Sequence, residues 1–393
     1  MTYFMYRQIT NKIKEQVAKS DKVTVLLGGR QTGKTTLLKS TFPGAIYINL
    51  EKSNYIETFN SRDLQRIRSV FFQEAKSGNN LLILDEVQRL DDPGLVSKLI
   101  YDELKDIKLI ISGSSSLEIA NKASESLAGR KNLIEMYPLT FQEKLIQTEK
   151  ARGTNKINNF VLTKEKNNNV FKDDILGSMR YGMYPDLLNL EDKENYLLEL
   201  TDSIILKDVF YLNLVKNTKN LQSLLKLLAY QIGQQVNITD LANRVGVARA
   251  TIMEYLEILK KIYVIYTLPP FTRKRRDEIG KTEKIYFWDL GVRNAIINDF
   301  SPVEFRRDYG NIFENFVVTE LLKLNNYNDL RYAFYYWRTK WGSEVDLVFQ
   351  KDKEIIASEV KSRSGKVTSA FTKTYSDAKA QVLTVNNISQ LLV

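Results

Sequence analysis

Short apolar runs alternate with longer stretches of helical, amphipathic spacing through the first part of the chain. The apolar runs are KVTVLLGG (22–29), AIYINL (45–50), NLLILDEV (80–87) and KLIISGSS (108–115). Continuous apolar strands separated by helices are typical of a parallel sheet that is covered on both faces. The pattern therefore predicts an α/β domain over residues 1–137.

Beyond this domain the pattern changes twice. Residues 138–215 are predicted to be mostly helical, with a polar interruption at 151–169, and residues 216–300 form a second helical unit that ends in an apolar strand. Residues 301–393 begin with a long helix. Three strand-like runs follow it: YAFYYWR, EVDLVF and EIIASEV.

The composition narrows the chemistry that this chain of 393 residues can perform. It contains no cysteine and no histidine, which excludes disulfides, zinc sites of the usual ligands, thiol nucleophiles and imidazole bases. Any acid–base or metal chemistry must therefore use carboxylates, lysines and hydroxyls, and magnesium is a metal that binds such oxygen ligands. No apolar run approaches the roughly 18 residues needed to cross a bilayer, and the first residues do not have the pattern of a secretory signal, so we expect a cytoplasmic protein with no membrane partner.

The net charge of +10 favours phosphate-rich partners such as nucleic acid. The same charge also follows from the general richness of the chain in Lys, Asn and Ile, so it does not decide the partner.

The segment GGRQTGKTT after the first apolar run matches a phosphate-binding loop: Gly, four residues, then Gly-Lys-Thr. Gly28 and Gly33 allow backbone conformations in which successive N–H groups face phosphates. Lys34 would reach the β- and γ-phosphates, and the Thr35 hydroxyl would bind magnesium. The predicted ATP-binding residues are Gly28, Gly29, Arg30, Gln31, Thr32, Gly33, Lys34, Thr35 and Thr36.

Two acids follow the third apolar run, in LLILDEVQ. Asp85 emerges at the end of this predicted strand, where it would hold the magnesium shell together with Thr35. Glu86 is placed to polarise the attacking water, so it is the predicted catalytic base of ATP hydrolysis.

Two further residues are candidates for the same site. Ser114, with Ser115, ends the fourth apolar run where a polar side chain would sense the γ-phosphate; a simple serine-rich turn is the alternative. Arg130, in SLAGR, would reach the nucleotide of a neighbouring subunit and stabilise transition-state charge. That role implies a homo-oligomer; a structural ion pair is the alternative.

These motifs together resemble an AAA-superfamily ATPase family of bacteria and archaea, whose members typically carry a C-terminal domain of unknown function. The resemblance is carried by GGRQTGKTTLL, LDEVQRL, SGSSS, SLAGR and YPLTFQE, and it continues through YGMYPDLL, KIYFWDLGVRNAI and GNIFENFVVTELL. It implies an ATPase that uses ATP and Mg²⁺. The sequence departs from the family at Gly29, where members usually have Pro, and at Lys207, which precedes Asp208 where members often have Arg.

Residues 238–262 have the spacing of a helix-turn-helix, with small or apolar residues at Ala242, Gly246 and Ile252. The second helix is predicted to expose Arg249, Thr251 and Tyr255, and a basic cluster at 273–276 would form a wing. The alternative is a lid that packs against protein and does not touch DNA.

The C-terminal region presents an acidic residue on a helix, an Asp on a strand, and Glu-x-Lys on the neighbouring strand, which resembles the PD-(D/E)XK nuclease superfamily. In that arrangement Asp346 and Glu359 would hold magnesium, Glu314 would complete the shell, and Lys361 would position or deprotonate water. The alternative is a module of the same fold that binds without cutting.

The predicted fold class is thus α/β: an AAA-type P-loop sheet (1–137), a helical lid (138–215), a winged helix-turn-helix (216–300) and a PD-(D/E)XK-like domain (301–393). The expected function is an oligomeric ATP-driven machine that binds and remodels DNA, with a hexamer as one candidate assembly and branched junctions such as the Holliday junction as a plausible target. The alternatives are a nucleotide-dependent signalling switch and a defence effector.

Overall fold

The computed structural model describes eight stretches of the chain, at residues 5–74, 80–114, 127–152, 157–162, 169–204, 217–272, 282–362 and 365–393. Ser115, Lys207, Asp208 and the basic cluster 273–276 lie outside the described residues. The chain divides into two units. Unit 1 comprises residues 1–137 and 261–263, and unit 2 comprises residues 138–260 and 264–393.

Unit 1 contains the predicted parallel sheet. Its strands are β1 (Val23–Leu27), β2 (Ile46–Asn49), β3 (Leu81–Asp85), β4 (Lys108–Gly113) and β5 (Lys131–Glu135), in the order β2-β3-β4-β1-β5. The helices are α1 (Thr10–Lys19), α2 (Lys34–Thr41), α3 (Ser53–Asn60), α4 (Leu64–Glu74) and α5 (Pro93–Glu103). The α/β prediction is confirmed. Strand β5 was not predicted, because its sequence KNLIE is polar and Leu133 is exposed.

The order of the strands places three loops at one edge of the sheet. All residues of the central strands β1 and β3 are buried, as continuous apolar runs in a covered parallel sheet should be. Strand β4 lies between them. Because the strands are parallel, the loops after β1, β3 and β4 leave from the same carboxyl edge, where ligands bind in open α/β sheets.

A short return of the chain completes unit 1. The Tyr263 hydroxyl donates to Glu135 Oε1 at 3.0 Å, and its ring meets that of Tyr137 edge-on with 6.3 Å between centroids. Residues 261–263 therefore belong with strand β5, although more than a hundred residues of unit 2 separate them in sequence.

Unit 2 begins with helices and a small hairpin. The helices are α6 (Phe141–Gln147), α7 (Lys172–Tyr181), α8 (Lys193–Ser203), α9 (Thr218–Tyr230), α10 (Ile238–Val245), α11 (Arg249–Lys261) and α12 (Leu290–Ile296). Strands β6 (Ile265–Leu268) and β7 (Lys284–Phe287) pair antiparallel.

Helices α10 and α11 correspond to the two helices of the predicted helix-turn-helix. Gly246 ends α10 with φ +77°, a left-handed conformation that favours glycine, and Ala242 and Ile252 are buried. Arg249 is exposed at the start of α11. The expectation that Tyr255 is exposed was wrong: its ring is buried, because it lies three residues from Ile252 on the helix face that packs inward.

The C-terminal part of unit 2 forms a mixed sheet beside a long helix, α13 (Tyr309–Tyr327). Strands β8 (Ala333–Arg338), β9 (Glu344–Lys351) and β10 (Glu354–Val360) are antiparallel, and β11 (Lys379–Leu383) lies parallel to β10. Two short helices, α14 (Ser369–Thr374) and α15 (Ser389–Leu392), accompany them. The sequence KAQVL of β11 is largely exposed and did not predict a strand.

Two of the motifs that carry the family resemblance hold helices in place. In YPLTFQE, Thr140 and Glu143 form a reciprocal capping box at the start of α6. In YGMYPDLL, Gly182 has φ +76°, and a Cβ there would lie 2.1 Å from Oδ1 of Asp289. Asp289 in turn caps α12 and accepts from the Met183 N–H at 2.6 Å. These motifs have a structural role.

Of the helices in the described parts of the chain, not one is long and apolar enough to cross a membrane.

Candidate functional site

The phosphate-binding loop lies between β1 and α2, at the carboxyl edge of the sheet. Gly33 has φ +92°, the left-handed conformation that was expected of it. Gly28 does not have a positive φ, and the other left-handed residue of the loop is Gln31, with φ +57°. Lys34 is buried, and its Nζ donates to the carbonyl oxygens of Gly28 at 2.7 Å and Gly29 at 2.8 Å. The ammonium is therefore held directly over the loop.

Two close contacts support this loop. A Cβ on Gly28 would lie 2.0 Å from the carbonyl oxygen of Met136, so only glycine allows this approach. The buried Arg7 guanidinium donates to the carbonyl oxygen of Thr32 at 2.8 Å and to that of Tyr137 at 2.6 Å. Sequence analysis missed Arg7, because nothing near it in sequence marks it as a partner of a loop 25 residues away.

Asp85 is the hydrogen-bonding centre of the site. Its Oδ2 accepts from the Thr35 hydroxyl at 2.5 Å, and it also accepts from the hydroxyls of Tyr47 and Ser112. Burial, reinforced by Asp85, raises the pKa of Tyr47, so that hydroxyl remains a donor. The predicted magnesium ligands Thr35 and Asp85, which are 50 residues apart in sequence, are thus in direct contact.

This donor set fits a hard cation. A hydroxyl and a carboxylate are the oxygen ligands that magnesium accepts from a protein when phosphates supply the others. The phosphate-binding loop packs closely on Met136 at Gly28 and has the left-handed residues Gln31 and Gly33, and loops with such residues can direct backbone N–H groups at phosphates. ATP and Mg²⁺ are therefore the ligands that the residues fit.

Glu86 follows Asp85 and has φ +60°, a left-handed conformation that a non-glycine residue adopts at a cost of about 1 kcal/mol or more. Gln88 Nε2 donates to Glu86 Oε2 and, at 3.0 Å, to Ser114 Oγ. Burial raises the pKa of Glu86, with the Lys34 ammonium acting in the opposite direction. A carboxylate of raised pKa is a stronger base, which suits the predicted role.

The structure brings most of the predicted ATP-site residues together and leaves some at its margin. Thr32 and Ser114 are buried beside the site, whereas Gln31 and Thr36 are exposed. Arg130 pairs with Asp102 of the same chain, with 3.2 Å between Nε and Oδ1, and its side chain is 40% exposed. The structural ion pair that the sequence left open is thus present.

A second cluster of charged groups lies on the C-terminal sheet. Lys361 Nζ is 2.7 Å from Glu359 Oε1 and 3.1 Å from Asp346 Oδ2. The Val360 N–H donates to the same Asp346 oxygen at 2.8 Å, which fixes the carboxylate across strands β9 and β10. The second oxygen of Glu359, Oε2, is buried and has no hydrogen-bond partner among the described residues.

Glu314, on helix α13, is held by two residues of β7. Lys284 Nζ lies 3.0 Å from Glu314 Oε1, and the Tyr286 hydroxyl donates to the same oxygen at 2.6 Å. Burial raises the pKa of Glu314 to about 7, with Lys284 opposing and Asp346 adding to the shift. Lys284 also pairs with Glu344 at 2.5 Å. In the described chain, no group of three or more acidic side chains is arranged to hold a metal ion.

Sequence analysis missed Lys284, because KIYFWDL was interpreted only as an apolar strand. The only signal was a lysine at the start of a strand whose residues are all buried. Burial lowers the pKa of Lys284, but Glu314, Glu344 and Asp346 outweigh it and raise the pKa. The ammonium therefore stays charged and balances the cluster.

We expect Lys284→Met to destabilise unit 2 by about 3–5 kcal/mol, because it leaves buried carboxylates without their cation. The loss should be larger at about pH 8 than at about pH 6, because Glu314 is protonated and uncharged in the more acidic solution. Urea unfolding at both values measures it. The control is Lys379→Met, which removes an exposed pair with Glu354 and should cost less than about 1 kcal/mol. Equal losses for the two variants would contradict the prediction.

Three family models match successive parts of the chain. Residues 20–145 match an AAA domain, residues 172–302 a domain of unknown function (DUF8612), and residues 309–391 another (DUF4143). The first match covers the phosphate-binding loop, Asp85 and Glu86. Unit 1 carries an AAA-type P-loop ATPase domain.

Curated relatives resemble this ATPase-containing chain over most of its length. A protein of Haemophilus influenzae is 25% identical over 88% of this chain and 84% of its own, and one of Mycobacterium tuberculosis is 26% identical over 87% and 70%. A protein of Methanocaldococcus jannaschii is 25% identical over 80% and 71%. All three are described as uncharacterized.

Two solved structures are similar to this chain at low identity. The Walker-type ATPase PABY2304 of Pyrococcus abyssi is 16% identical, covers 75% of this chain and 96% of its own, and has a TM-score of 0.47. AMPPCP-bound DnaA from Aquifex aeolicus is 14% identical, covers 65% and 89%, and has a TM-score of 0.29.

Proposed function

We propose that this ATPase drives the binding and remodelling of DNA and that its C-terminal domain cuts DNA with magnesium. The observation that carries the proposal is the contact of Lys361 with both Glu359 and Asp346 on adjoining strands. Two acids and a lysine that converge from two strands are what a phosphodiester-cleaving site needs: ligands for a hard cation and a group that positions water.

The ATP site supplies the first part of the function. Gly28 to Thr35 would surround the phosphates, Lys34 would move from the carbonyl oxygens to the β- and γ-phosphates, and Thr35 and Asp85 would hold magnesium. Bound magnesium would neutralise charge on the phosphates. Glu86 would accept a proton from the attacking water. The side-chain amide of Gln88 holds the Glu86 carboxylate by donating both to it and to the Ser114 hydroxyl.

The C-terminal cluster supplies the second part. The buried Glu359 Oε2, which lacks a partner among the described residues, fits a cation ligand, because an unsatisfied buried carboxylate oxygen costs free energy until a cation or donor meets it. Asp346 would share that cation. Lys361 would then exchange its contact with the carboxylates for one with water or the scissile phosphate.

Three features of the chain favour DNA as the partner. The net charge is +10, Arg249 is exposed at the start of the second helix of the helix-turn-helix, and the hairpin β6–β7 follows where a wing would lie. A homo-oligomer, with Arg130 released from Asp102 to reach a neighbouring nucleotide, would complete the ATPase. A ring of subunits acting on branched DNA is the most specific form of the proposal.

The decisive experiment follows ATP turnover and strand cleavage together. The purified protein is incubated with linear, forked and four-way DNA in the presence of magnesium, with and without ATP. We expect DNA to stimulate ATP turnover, branched DNA more than linear, and we expect magnesium-dependent cleavage. Turnover that no DNA changes, together with intact DNA, would refute the proposal and leave the ATPase alone.

A matched pair of variants assigns the cleavage to the cluster. Asp346→Asn should abolish cleavage and spare ATP turnover, because it removes a cation ligand in unit 2 alone. Asp352→Asn is the control: Asp352 is exposed in the turn between β9 and β10, with φ +52°, a conformation that Asn also tolerates. Cleavage that survives in both variants would show that the cluster of Asp346, Glu359 and Lys361 is not responsible for it.

A further inference from the structure

The loop between β8 and β9 spans residues 339–343, and its tip is a three-residue turn, Lys340-Trp341-Gly342, between Thr339 and Ser343. The Thr339 N–H donates to the Ser343 carbonyl at 2.8 Å, the Gly342 N–H donates to the Thr339 carbonyl at 3.2 Å, and the Thr339 hydroxyl accepts from the Ser343 N–H at 3.1 Å. Gly342 has φ +87°, the left-handed residue that closes turns of this length. The tip therefore has a defined shape.

This tip presents a tryptophan to solvent. The Trp341 side chain is 95% exposed, the highest value among the large apolar residues of the described chain. Trp337, four residues earlier on β8, is 7% exposed and packs in a core cluster with Phe271 and Phe371. Two tryptophans of one hairpin thus have opposite environments, and only the core position is explained by packing.

Two cationic residues come shortly before Trp341 in the sequence. Lys340 is exposed next to Trp341 and forms no ion pair with the described residues. Arg338 is 45% exposed, and its contact with Glu344 is loose, with 3.7 Å between Nε and Oε2. An exposed indole that follows an exposed Lys and an exposed Arg within three residues has the chemistry of a nucleobase platform: a π-face for the base and cations for its phosphates.

The hairpin also leads directly into the charged cluster. Asp346 is the fifth residue after Trp341, and a chain of that length spans at most about 17 Å. A base on Trp341 would therefore place the phosphates of its own strand within a few nucleotides of Asp346, Glu359 and Lys361.

We propose that Trp341 stacks on an unpaired base of DNA and so directs the C-terminal site to single-stranded or frayed segments. Bases in a continuous duplex are stacked on their neighbours and offer no free face, whereas forks and junctions expose unpaired bases. The inference rests on the proposed function, because it requires DNA at the neighbouring cluster.

The test compares binding of the full-length chain to two labelled DNAs of equal length, oligothymidine and a blunt duplex. Trp341→Ala should weaken binding to oligothymidine by about tenfold, within the range known for stacked bases, and should leave duplex binding within about twofold. Trp341→Phe, which keeps an aromatic face, should retain most of the affinity. The melting temperature should not change, because the side chain is exposed.

Indole fluorescence gives an independent readout. Oligothymidine should quench the emission of the wild-type protein and should quench that of Trp341→Phe much less, since the other two tryptophans of the chain are buried (Trp337) or half-buried (Trp288).

The outcomes separate this inference from the function on which it rests. If the wild type binds neither DNA, the proposed function fails. If it binds both and Trp341→Ala binds oligothymidine as tightly as the wild type, or loses duplex binding equally, the stacking role is overturned while the function stands.

Discussion

Glu86→Gln is expected to retain ATP and to lower its turnover by about 10²–10⁴-fold, the usual contribution of a positioned general base. The amide keeps an oxygen that can accept from Gln88 and tolerates the same backbone conformation, so the loop after β3 should not change. It lacks the proton affinity that burial gives to the carboxylate. Phosphate release and retention of a fluorescent ATP analogue measure the two effects separately.

Glu103→Gln is the matched control for this change. Glu103 is exposed in unit 1 at the end of α5, so its substitution should leave turnover at the wild-type rate. A Glu86→Gln variant that hydrolyses ATP as fast as this control would show that another group activates the water.

Lys34→Ala is expected to weaken ATP binding by roughly 10- to 100-fold, which corresponds to the loss of charge-assisted hydrogen bonds to phosphate. Lys34 is the buried cation of the loop, and in the structure its ammonium lies against the carbonyl oxygens of Gly28 and Gly29. Calorimetric titration with ATP and with ADP measures the loss, which should be greater for ATP, because ATP carries the additional phosphate.

Lys19→Ala provides the comparison for Lys34→Ala. Lys19 is exposed on α1 and pairs only loosely with Glu15, at 3.4 Å, so its loss should not alter affinity. Equal affinity of the two variants for ATP would remove Lys34 from the site.

The ATP site could be predicted from the sequence because each of its parts is local. One loop, which follows an apolar strand, contains Gly28, Gly33 and Lys34. A second apolar strand ends in Asp85, and Glu86 follows directly. Parallel strands bring their carboxyl ends to one edge, so two local motifs are sufficient to predict the contact of Thr35 with Asp85. Strands β5 and β11 were not predicted, because their residues are polar or exposed and lack the apolar pattern of a buried strand.

The partners that complete each site could not be predicted. Tyr47 and Ser112 contact Asp85 only because β2 and β4 flank β3 in the sheet. The order of strands in a sheet cannot be predicted from the sequence of any one strand. Lys284 reaches Glu314 from an apolar strand 30 residues earlier. Such contacts follow from tertiary packing, so the residue type at one position does not predict them.

The contact of Tyr263 with strand β5 bears on how the ATPase can be produced alone. A fragment cut at residue 145, the end of the AAA match, would leave out the hydroxyl that satisfies Glu135 and the ring that covers Tyr137. Such a piece would expose an aromatic surface on an edge strand, which promotes aggregation. To express the ATPase domain alone, residues 261–263 should therefore be fused to it, or the aromatic surface that Tyr263 covers should be replaced by polar residues.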